Sequence, residues 1–185
     1  LVADTTLNTP DQWYPNDNLM HIDNNNLNEI IIPTCSKISH DNNFVAYGIM
    51  DNPKGLQIDD SNVIVYRTSD WNEVINSPFS YSDASPWDLE LYDIEFSNDS
   101  SNMYIAYEDG GNAYIDYYNT ASWTYTSNIV MGTNCREIEL SSLGNYIAVG
   151  SDNEIEIYDD ELFPTGGYIT TITGHDEYIN SITFN

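Results

Sequence analysis

The sequence is poor in basic residues and has no long apolar run. Its 185 residues include four Lys and Arg against thirty Asp and Glu, which gives a formal net charge of -26. Such a charge repels nucleic-acid phosphates and anionic lipids, so it disfavours DNA or RNA partners and polybasic membrane docking. No apolar run approaches the roughly 20 residues that a membrane-spanning helix needs, so no membrane insertion is expected. Two uses for the acidity remain: attraction of a basic partner, or solubility in concentrated salt.

Cysteine and histidine are also scarce. Cys35 and Cys135 are the two cysteines, and the histidines are His21, His40 and His175. None of these has the spacing of a metal site or of a disulfide framework. A Gly-rich phosphate loop, a nucleophile elbow and a zinc motif are absent as well, so we expect no cofactor, no metal and no catalytic residue. The compartment stays open, whether cytoplasmic, extracellular or rich in salt.

What the sequence does contain is an internal repeat. Three apolar segments, each preceded by a polar turn, align with one another: FVAYG at 44–48, YIAYE at 104–108 and YIAVG at 146–150. A serine opens each turn, and apolar residues stand one, three and six positions before most of these serines. The serines are Ser39, Ser97 and Ser141. Self-similarity of this kind indicates a repeat architecture.

A second set of landmarks gives the same frame. In each unit an alternating apolar run ends in a tyrosine, and an aromatic residue follows a few positions later. These pairs are Tyr66 with Trp71, Tyr118 with Trp123, and Tyr158 with Phe163, and Trp13 marks one further unit. Because the tryptophans recur in the frame, we interpret them as structural. The irregular spacing comes mainly from a turn-rich insertion at residues 51–61.

Within each unit the apolar pattern has a period of two, which predicts strands packed on a core. Residues 145–163 match the second and third strands of one unit, and YITTIT at 168–173 is the clearest candidate for its fourth. Four strands in about 40 to 45 residues is the spacing of a propeller blade, which must stack on its neighbours to bury both faces. The predicted fold is all-β: blades of four antiparallel strands in an incomplete arc of about four blades.

These units resemble the WD-repeat β-propeller family. GHDEYINSITFN at 174–185 is similar to the family's Gly-His turn and the first strand after it, and residues 140–160 are similar to its second and third strands. His175 matches the Gly-His position and Asp152 the turn aspartate, so the resemblance implies a structural hydrogen-bonding role for both. Tyr followed by Arg, Asn or Asp replaces the family's Trp-Asp. The resemblance implies a scaffold that holds protein partners.

The frame also divides the chain into blades. Full blades are expected at residues 30–84, 85–130 and 131–174, with partial blades at 1–29 and 175–185; residues 179–184 align with a first strand. An open arc exposes apolar blade faces, which is costly. We therefore expect the chain to be part of a longer propeller or to self-associate through its open blade edges.

The expected function is non-enzymatic: a scaffold for a protein partner, which the acidity predicts to be basic. Two long, turn-rich segments lie off the repeat frame, the insertion at 51–61 and the loop at 76–88. Binding residues concentrate on loops held by a rigid scaffold, so these segments supply the candidate contacts. The candidates are Asp59, Asp60, Phe79, Tyr81 and Trp87.

Two alternatives remain open from the sequence. One is a subunit of an extracellular or multi-chain structural assembly, whose open blades are completed by neighbours. The other is a propeller enzyme or carbohydrate-binding module, whose mark would be carboxylates from different blades that converge on one opening. The acid clusters Asp59-Asp60 and Asp159-Asp160-Glu161 lack a calcium-loop motif, so we interpret them as solvated turn edges.

Overall fold

A computed structural model describes residues 30–52, 60–74, 79–82, 90–132, 134–163 and 166–185 of the chain. Within these ranges the regular structure is β-strand throughout, and no helix is present that is long and apolar enough to cross a bilayer. The strands form three antiparallel sheets of four, which confirms the predicted fold class.

Each sheet is a meander in which consecutive strands are neighbours. The strands of the first sheet are β1 (Ile30–Ile38), β2 (Phe44–Asn52), β3 (Asp60–Arg67) and β4 (Phe79–Ser82). Those of the second are β5 (Glu90–Phe96), β6 (Asn102–Asp109), β7 (Asn112–Asn119) and β8 (Thr124–Gly132). Those of the third are β9 (Cys135–Leu140), β10 (Tyr146–Ser151), β11 (Glu154–Asp159) and β12 (Tyr168–Ile172).

The second sheet lies between the other two and is buried on both faces. Alternate side chains of a strand point to opposite faces, and β6 shows the consequence. Met103 and Ile105 enter the core shared with the first sheet, whereas Tyr104 and Ala106 enter the core shared with the third. Burial of each large apolar side chain stabilises the fold by about 1.5–3 kcal/mol, so the stacking of sheets supplies much of the folding free energy.

The strand predictions for the last unit are confirmed. β10 and β11 both lie within residues 145–163, and YITTIT contains β12, the edge strand next to β11. The alternation of apolar side chains and the turn residues between runs were enough to place these strands.

Two predicted segments have a different local structure from the one expected. Phe79–Ser82 falls inside the expected loop at 76–88 but forms β4, the edge strand of the first sheet, because its backbone pairs with β3. Residues 51–61 were expected as a turn-rich insertion, yet both ends continue the β2–β3 ladder, in which Asp51 is paired with Asp60. The insertion therefore lengthens a hairpin.

Residues 179–184 were expected to align with a first strand. The described segment 173–185 forms no β-ladder with any other strand. A β-ladder needs a hydrogen-bonded neighbouring strand, and the described residues supply none for this segment, so the expected strand is not formed.

Candidate partner-binding surface

The serine turns between the first and second strands are built by side-chain hydrogen bonds. The Ser39 N–H donates to the carbonyl of Phe44 at 2.9 Å, and the Phe44 N–H donates back to Ser39 Oγ at 2.9 Å. Ser39 Oγ in turn donates to Asp41 Oδ1 at 2.7 Å. Asn42 takes a positive φ of 59°, a conformation that Asn tolerates better than most residues. The buried serine thus closes the turn from inside.

The second sheet repeats this turn. Asn102 N–H donates to Ser97 Oγ at 2.9 Å, and Ser97 Oγ donates to Asp99 Oδ1 at 2.7 Å. Hydrogen bonds from the hydroxyl and N–H of Ser101, with that of Ser97, lower the pKa of Asp99. The negative charge of this carboxylate is therefore stabilised by the turn.

The third turn keeps the serine and lacks the carboxylate. Ser141 Oγ accepts the N–H groups of Asn145 and Tyr146, both at 3.1 Å, but Leu143 stands where the other turns have Asp. Gly144 supplies the positive φ, at 69°. A Cβ at Gly144 would collide with Asn98 of the preceding turn, so this glycine is also required by a contact between sheets.

The end of each third strand packs against the serine turn of its own sheet. Thr68 Oγ1 donates to the carbonyl of Asn42 at 2.6 Å, and Thr120 Oγ1 donates to the carbonyl of Ser100 at 2.6 Å. In the third sheet the Asp160 N–H donates to the carbonyl of Asn145 at 3.2 Å. These bonds join two turns at one end of every sheet into a rigid rim.

The aromatic landmarks join neighbouring sheets. Trp123 packs edge-on against Phe44 of the first sheet, with ring centroids 4.9 Å apart, and Phe163 packs against Tyr104 of the second sheet at 5.6 Å. Such aromatic pairs add about 0.5–1.5 kcal/mol beyond the area that they bury. Trp71 holds the same place in the first sheet and is 51% exposed.

Charged residues from all three sheets meet on the first strands β1, β5 and β9. Lys37 Nζ forms an ion pair with Glu95 Oε2 and lies 3.7 Å from Glu139 Oε2. The Glu95 side chain is 2% exposed, whereas Lys37 and Glu139 are accessible to solvent at 34% and 26%. Burial opposes protonation of Lys37, but its hydrogen bond and charge interaction with Glu95 raise the pKa of the amine. The lysine therefore stays charged between two carboxylates.

Two further carboxylates lie next to this group. Asp93 accepts the N–H of Ile94 at 2.8 Å and the N–H of Ile138 in the third sheet at 2.9 Å, so it ties β5 to β9. Burial, with the charge of Glu137 adding to it, raises the pKa of Asp93 to about 7. Burial also raises the pKa of Glu137. The first strands thus gather one amine and four carboxyl groups, which we call the inner-strand cluster: Lys37, Asp93, Glu95, Glu137 and Glu139.

The predicted contact residues are only partly within the described structure. Asp59 and Trp87 lie outside the described residues. The backbone of Asp60 begins β3, and the backbones of Phe79 and Tyr81 belong to β4. The structure places these three in one sheet, and their role in partner contact stays a prediction.

His175 and Asp152 lie at a turn that holds the segment after the third sheet. Asp152 has a positive φ of 51°, and its side chain accepts Asn134 Nδ2 at 2.6 Å. The carbonyl of His175 accepts Asn153 Nδ2 at 3.0 Å, and the imidazole is exposed. Backbone atoms and the two asparagines supply these contacts, so the implied role of the His175 side chain stays a prediction.

The inner-strand cluster was missed by sequence reasoning, although a signal was present. Lys37, Glu95 and Glu139 each stand two positions before a marker serine. This place alternates with the apolar core positions that stand one and three residues before each serine. Equivalent positions of stacked repeats lie side by side, so a repeated charged position predicts convergence.

Potential metal ligands and the two cysteines can be located in the described ranges. These ranges contain no group of three or more His, Cys, Asp or Glu side chains arranged to hold a metal ion. Cys35 and Cys135 are both free thiols. Burial raises the pKa of Cys35 to about 11 and raises that of Cys135 further, so neither is a reactive thiolate near neutral pH.

Comparisons with known proteins bear on the fold. No protein-family model and no curated protein matches the sequence. A chain of the mitotic checkpoint complex matches with a TM-score of 0.56 and 15% identity, over 80% of this chain and 44% of that one. A chain of a eukaryotic initiation factor matches with a TM-score of 0.47 and 17% identity, over 82% of this chain and 34% of that one. This chain thus spans less than half the length of either. Together with the repeated four-stranded sheets, the first likeness shows that the fold is an arc of β-propeller blades.

Proposed function

We propose that the chain is a non-enzymatic scaffold that binds a basic protein partner. The carrying observation is the inner-strand cluster, in which Glu95 and Glu139 from two sheets approach Lys37 of a third, while Asp93 and Glu137 interact with Lys37 through their charge. A partner's lysine or arginine would find accepting carboxylates there, held by rigid strands. One of the similar solved chains comes from a multi-protein assembly, the mitotic checkpoint complex, which is in keeping with a role in protein interaction.

The charge balance of the cluster favours a cation. Lys37 is shared by Glu95 and Glu139, so their two negative charges face one positive charge. Glu139 is the more accessible of the two carboxylates and offers the better contact for a partner. The net charge of -26 extends this attraction over longer range, because many acids of one sign steer a basic partner towards the surface.

We also propose that the first sheet supplies contacts of its own. Its β2–β3 ladder reaches the pair Asp51–Asp60, so the hairpin is longer than that of β10 and β11 in the third sheet. The contact residues proposed there and on β4 and the loop that follows it are Asp59, Asp60, Phe79, Tyr81 and Trp87. A longer hairpin on a rigid sheet is a common position for recognition residues.

The test is binding of a fluorescent decalysine peptide, followed by anisotropy at increasing NaCl. Affinity is expected to fall steeply between about 50 and 500 mM salt, because salt screens charge attraction. The variant Glu139→Gln is expected to weaken binding more than Glu161→Gln. Both variants remove one charge, but Glu161 lies exposed on the turn after β11.

Two outcomes contradict the proposal. Binding that does not change with salt would show that electrostatic attraction is not its basis. Equal losses in Glu139→Gln and Glu161→Gln would show that the total charge matters and the inner-strand cluster does not. An Asp59→Asn, Asp60→Asn double variant tests the hairpin contacts in the same assay.

An acid–base active site is a second candidate, because the convergence of carboxylates from different sheets is the mark that it requires. Glu95 and Glu139 come from the second and third sheets and approach the same amine. Lys37 already pairs with both groups, which favours the binding role. Hydrolysis of a panel of aryl glycosides that is lost in Glu95→Gln would support the enzyme and contradict the scaffold.

A further inference from the structure

Arg136 is a basic residue whose guanidinium has no acidic partner in the described part of the chain. Lys37 and Arg67, the other lysine and arginine that the structure describes, both form ion pairs. Arg136 forms none with the described residues, although the chain contains thirty Asp and Glu. Its Nε is buried and has no hydrogen-bond partner there. A guanidinium carries five N–H donors, so much of its hydrogen-bonding capacity is unused.

A β-bulge sets the direction of this side chain. In the β9–β10 ladder the register shifts between Cys135 and Glu137, so Arg136 is left without an opposite residue. The β5–β6 ladder shifts in the same way at Tyr92. Bulges re-aim side chains and recur next to functional sites. Because equivalent positions of stacked repeats lie side by side, the two bulges bring Arg136 next to Tyr92.

Two tyrosine rings hold the guanidinium in place. The Cζ of Arg136 lies 5.5 Å from the centroid of the Tyr92 ring and 4.5 Å from that of the Tyr178 ring. The Tyr92 hydroxyl is itself fixed, 2.6 Å from Glu90 Oε2 and 3.1 Å from Glu108 Oε2. Cation–π attraction orients a guanidinium without supplying the lone pairs that its N–H groups need. The side chain is therefore positioned but not saturated.

A carboxylate is the ligand that fits these donors. The planar fork of a guanidinium matches the two oxygens of a carboxylate in a bidentate pair. Since Nε is buried and Arg136 as a whole is only half-buried, the terminal Nη groups are the ones that a ligand reaches. Glu90 and Glu108 beside Tyr92 make the surroundings acidic, which repels a phosphate dianion more than a singly charged carboxylate.

We propose that Arg136, held between Tyr92 and Tyr178, is a contact site for one Asp or Glu side chain of a protein partner. The partner's carboxylate accepts hydrogen bonds from the terminal nitrogens of the guanidinium. Arginine and tyrosine are the residue types in which the strongest contacts of protein interfaces are enriched, and here they are in place before any partner binds. This site takes a negative charge, whereas the inner-strand cluster takes a positive one.

The experiment uses the fact that Arg67 and Arg136 are the two arginines of the chain. The 185-residue chain labelled with ¹⁵N-arginine is titrated with the peptide acetyl-Gly-Tyr-Glu-Gly-amide, and the two Nε–H signals are followed by NMR. About 150 mM NaCl screens the repulsion between the acidic chain and the peptide. The Arg136 signal is expected to shift saturably, and that of Arg67, which is paired with Asp70, is expected to stay in place.

The matched control peptide carries Gln in place of Glu. Gln keeps the shape of the side chain and removes its charge, so the Arg136 signal is expected not to shift. An unmoved Arg136 signal with the Glu peptide, or an equal shift with the Gln peptide, would overturn the proposal and leave Arg136 a packing role alone. A peptide with phosphoserine in place of Glu that binds more tightly would overturn the choice of a carboxylate.

A pair of protein variants localises the contact. Arg136→Lys keeps the charge and loses the planar fork, so the affinity for the Glu peptide should fall about tenfold, which corresponds to one hydrogen bond to a charged group. Arg67→Lys should leave it unchanged. Affinities are measured from the backbone amide shifts of β9, and amide exchange of β9–β11 checks that both variants are folded. Equal losses in the two variants would contradict the site.

Probes of opposite charge separate this site from the proposed function. The shift of the Arg136 signal reports on carboxylate binding, and decalysine anisotropy reports on the inner-strand cluster. A chain that binds decalysine and not the Glu peptide keeps the proposed function and loses this site, and the reverse result does the opposite.

Discussion

Trp71 and Trp123 occupy equivalent positions in two neighbouring sheets. Their backbone conformations are the same, but one side chain is exposed and the other is buried. Their φ angles are 54° and 52°, and each N–H donates to the carbonyl four residues earlier, at 2.8 and 2.7 Å. Trp123 is 8% exposed and packs on Phe44 of the sheet before it, whereas Trp71 is 51% exposed. The local sequence therefore sets the turn, and the neighbouring sheet sets the burial of the ring.

The substitution Trp123→Ala is expected to have the largest effect, because it removes the side chain that contacts the neighbouring sheet. Removal of a buried tryptophan is expected to lower the free energy of unfolding by about 3–5 kcal/mol, from lost burial and the cavity that remains. Urea unfolding followed by circular dichroism measures the loss. A change near that of an exposed site would contradict the role of the Trp123–Phe44 contact in joining the sheets.

The serine of the turn is the next most sensitive position. Ser97→Ala leaves the partly buried N–H of Asn102 without its 2.9 Å acceptor and should cost about 1–3 kcal/mol in unfolding free energy. Ser142→Ala, at an exposed position in the turn of the third sheet, is the control and should be neutral within about 0.5 kcal/mol. Equal effects of the two would contradict a structural role for the marker serine.

Asp93, which lies between two sheets, and Asp99, which lies on a turn, should give the stability opposite dependences on pH. The pKa of Asp93 is raised from 3.8 to about 7, so the folded state keeps a proton that the unfolded state loses. Stability from this group should therefore fall as pH rises from about 4 to 7 and then level off. In Asp93→Asn the melting temperature should lose this part of its pH dependence, which thermal melts across the range will test. An unchanged profile would mean that Asp93 ionises normally.

Asp99 should act in the opposite sense. Hydrogen bonds from the hydroxyl and N–H of Ser101 lower the pKa of Asp99. The stability that Asp99 contributes is therefore present above its unfolded pKa and is lost as pH falls through its lower folded pKa.

Leu143→Asp introduces the equivalent carboxylate into the turn of the third sheet, beside Ser141. It should raise the unfolding free energy by about 0.5–1.5 kcal/mol at neutral pH, and no gain would show that the backbone of this turn does not accept the carboxylate.

Trp71→Ala is expected to have the smallest effect of these substitutions on the free energy of unfolding. An exposed side chain is expected to change the free energy of unfolding by no more than about 0.5 kcal/mol. The same urea unfolding assay applies, with Trp123→Ala as the reference. A loss as large as that of Trp123→Ala would show that the ring of Trp71 is covered in solution.

Much of the fold was predictable because each blade repeats local signals. Period-two apolar runs placed β10, β11 and β12, and the marker serines placed the turns. The strand β4 was not predicted, because its four residues are too few for a periodic signal. It forms through backbone pairing with β3, which depends on the tertiary structure. The strand expected at 179–184 has the apolar pattern of a first strand, but the described residues contain no strand that pairs with it.

The candidate site was predictable only in part. The sequence indicated an acidic surface and a basic partner, and it singled out residues off the repeat frame. It did not show that Lys37, Glu95 and Glu139 meet, because these residues are far apart in the chain and are joined only when three sheets stack. Their shared position before the marker serines is the signal from which the cluster could have been predicted.

The sequence by itself determined the strand pattern, the turn at each marker serine and the sign of the overall charge. These depend on side chains that interact with backbone a few residues away, or on composition alone. The tertiary structure decided which tryptophan is buried, which carboxyl holds its proton near neutral pH and where the charges of three sheets converge. Burial and electrostatic energy depend on neighbours in space, which only the stacking of sheets supplies.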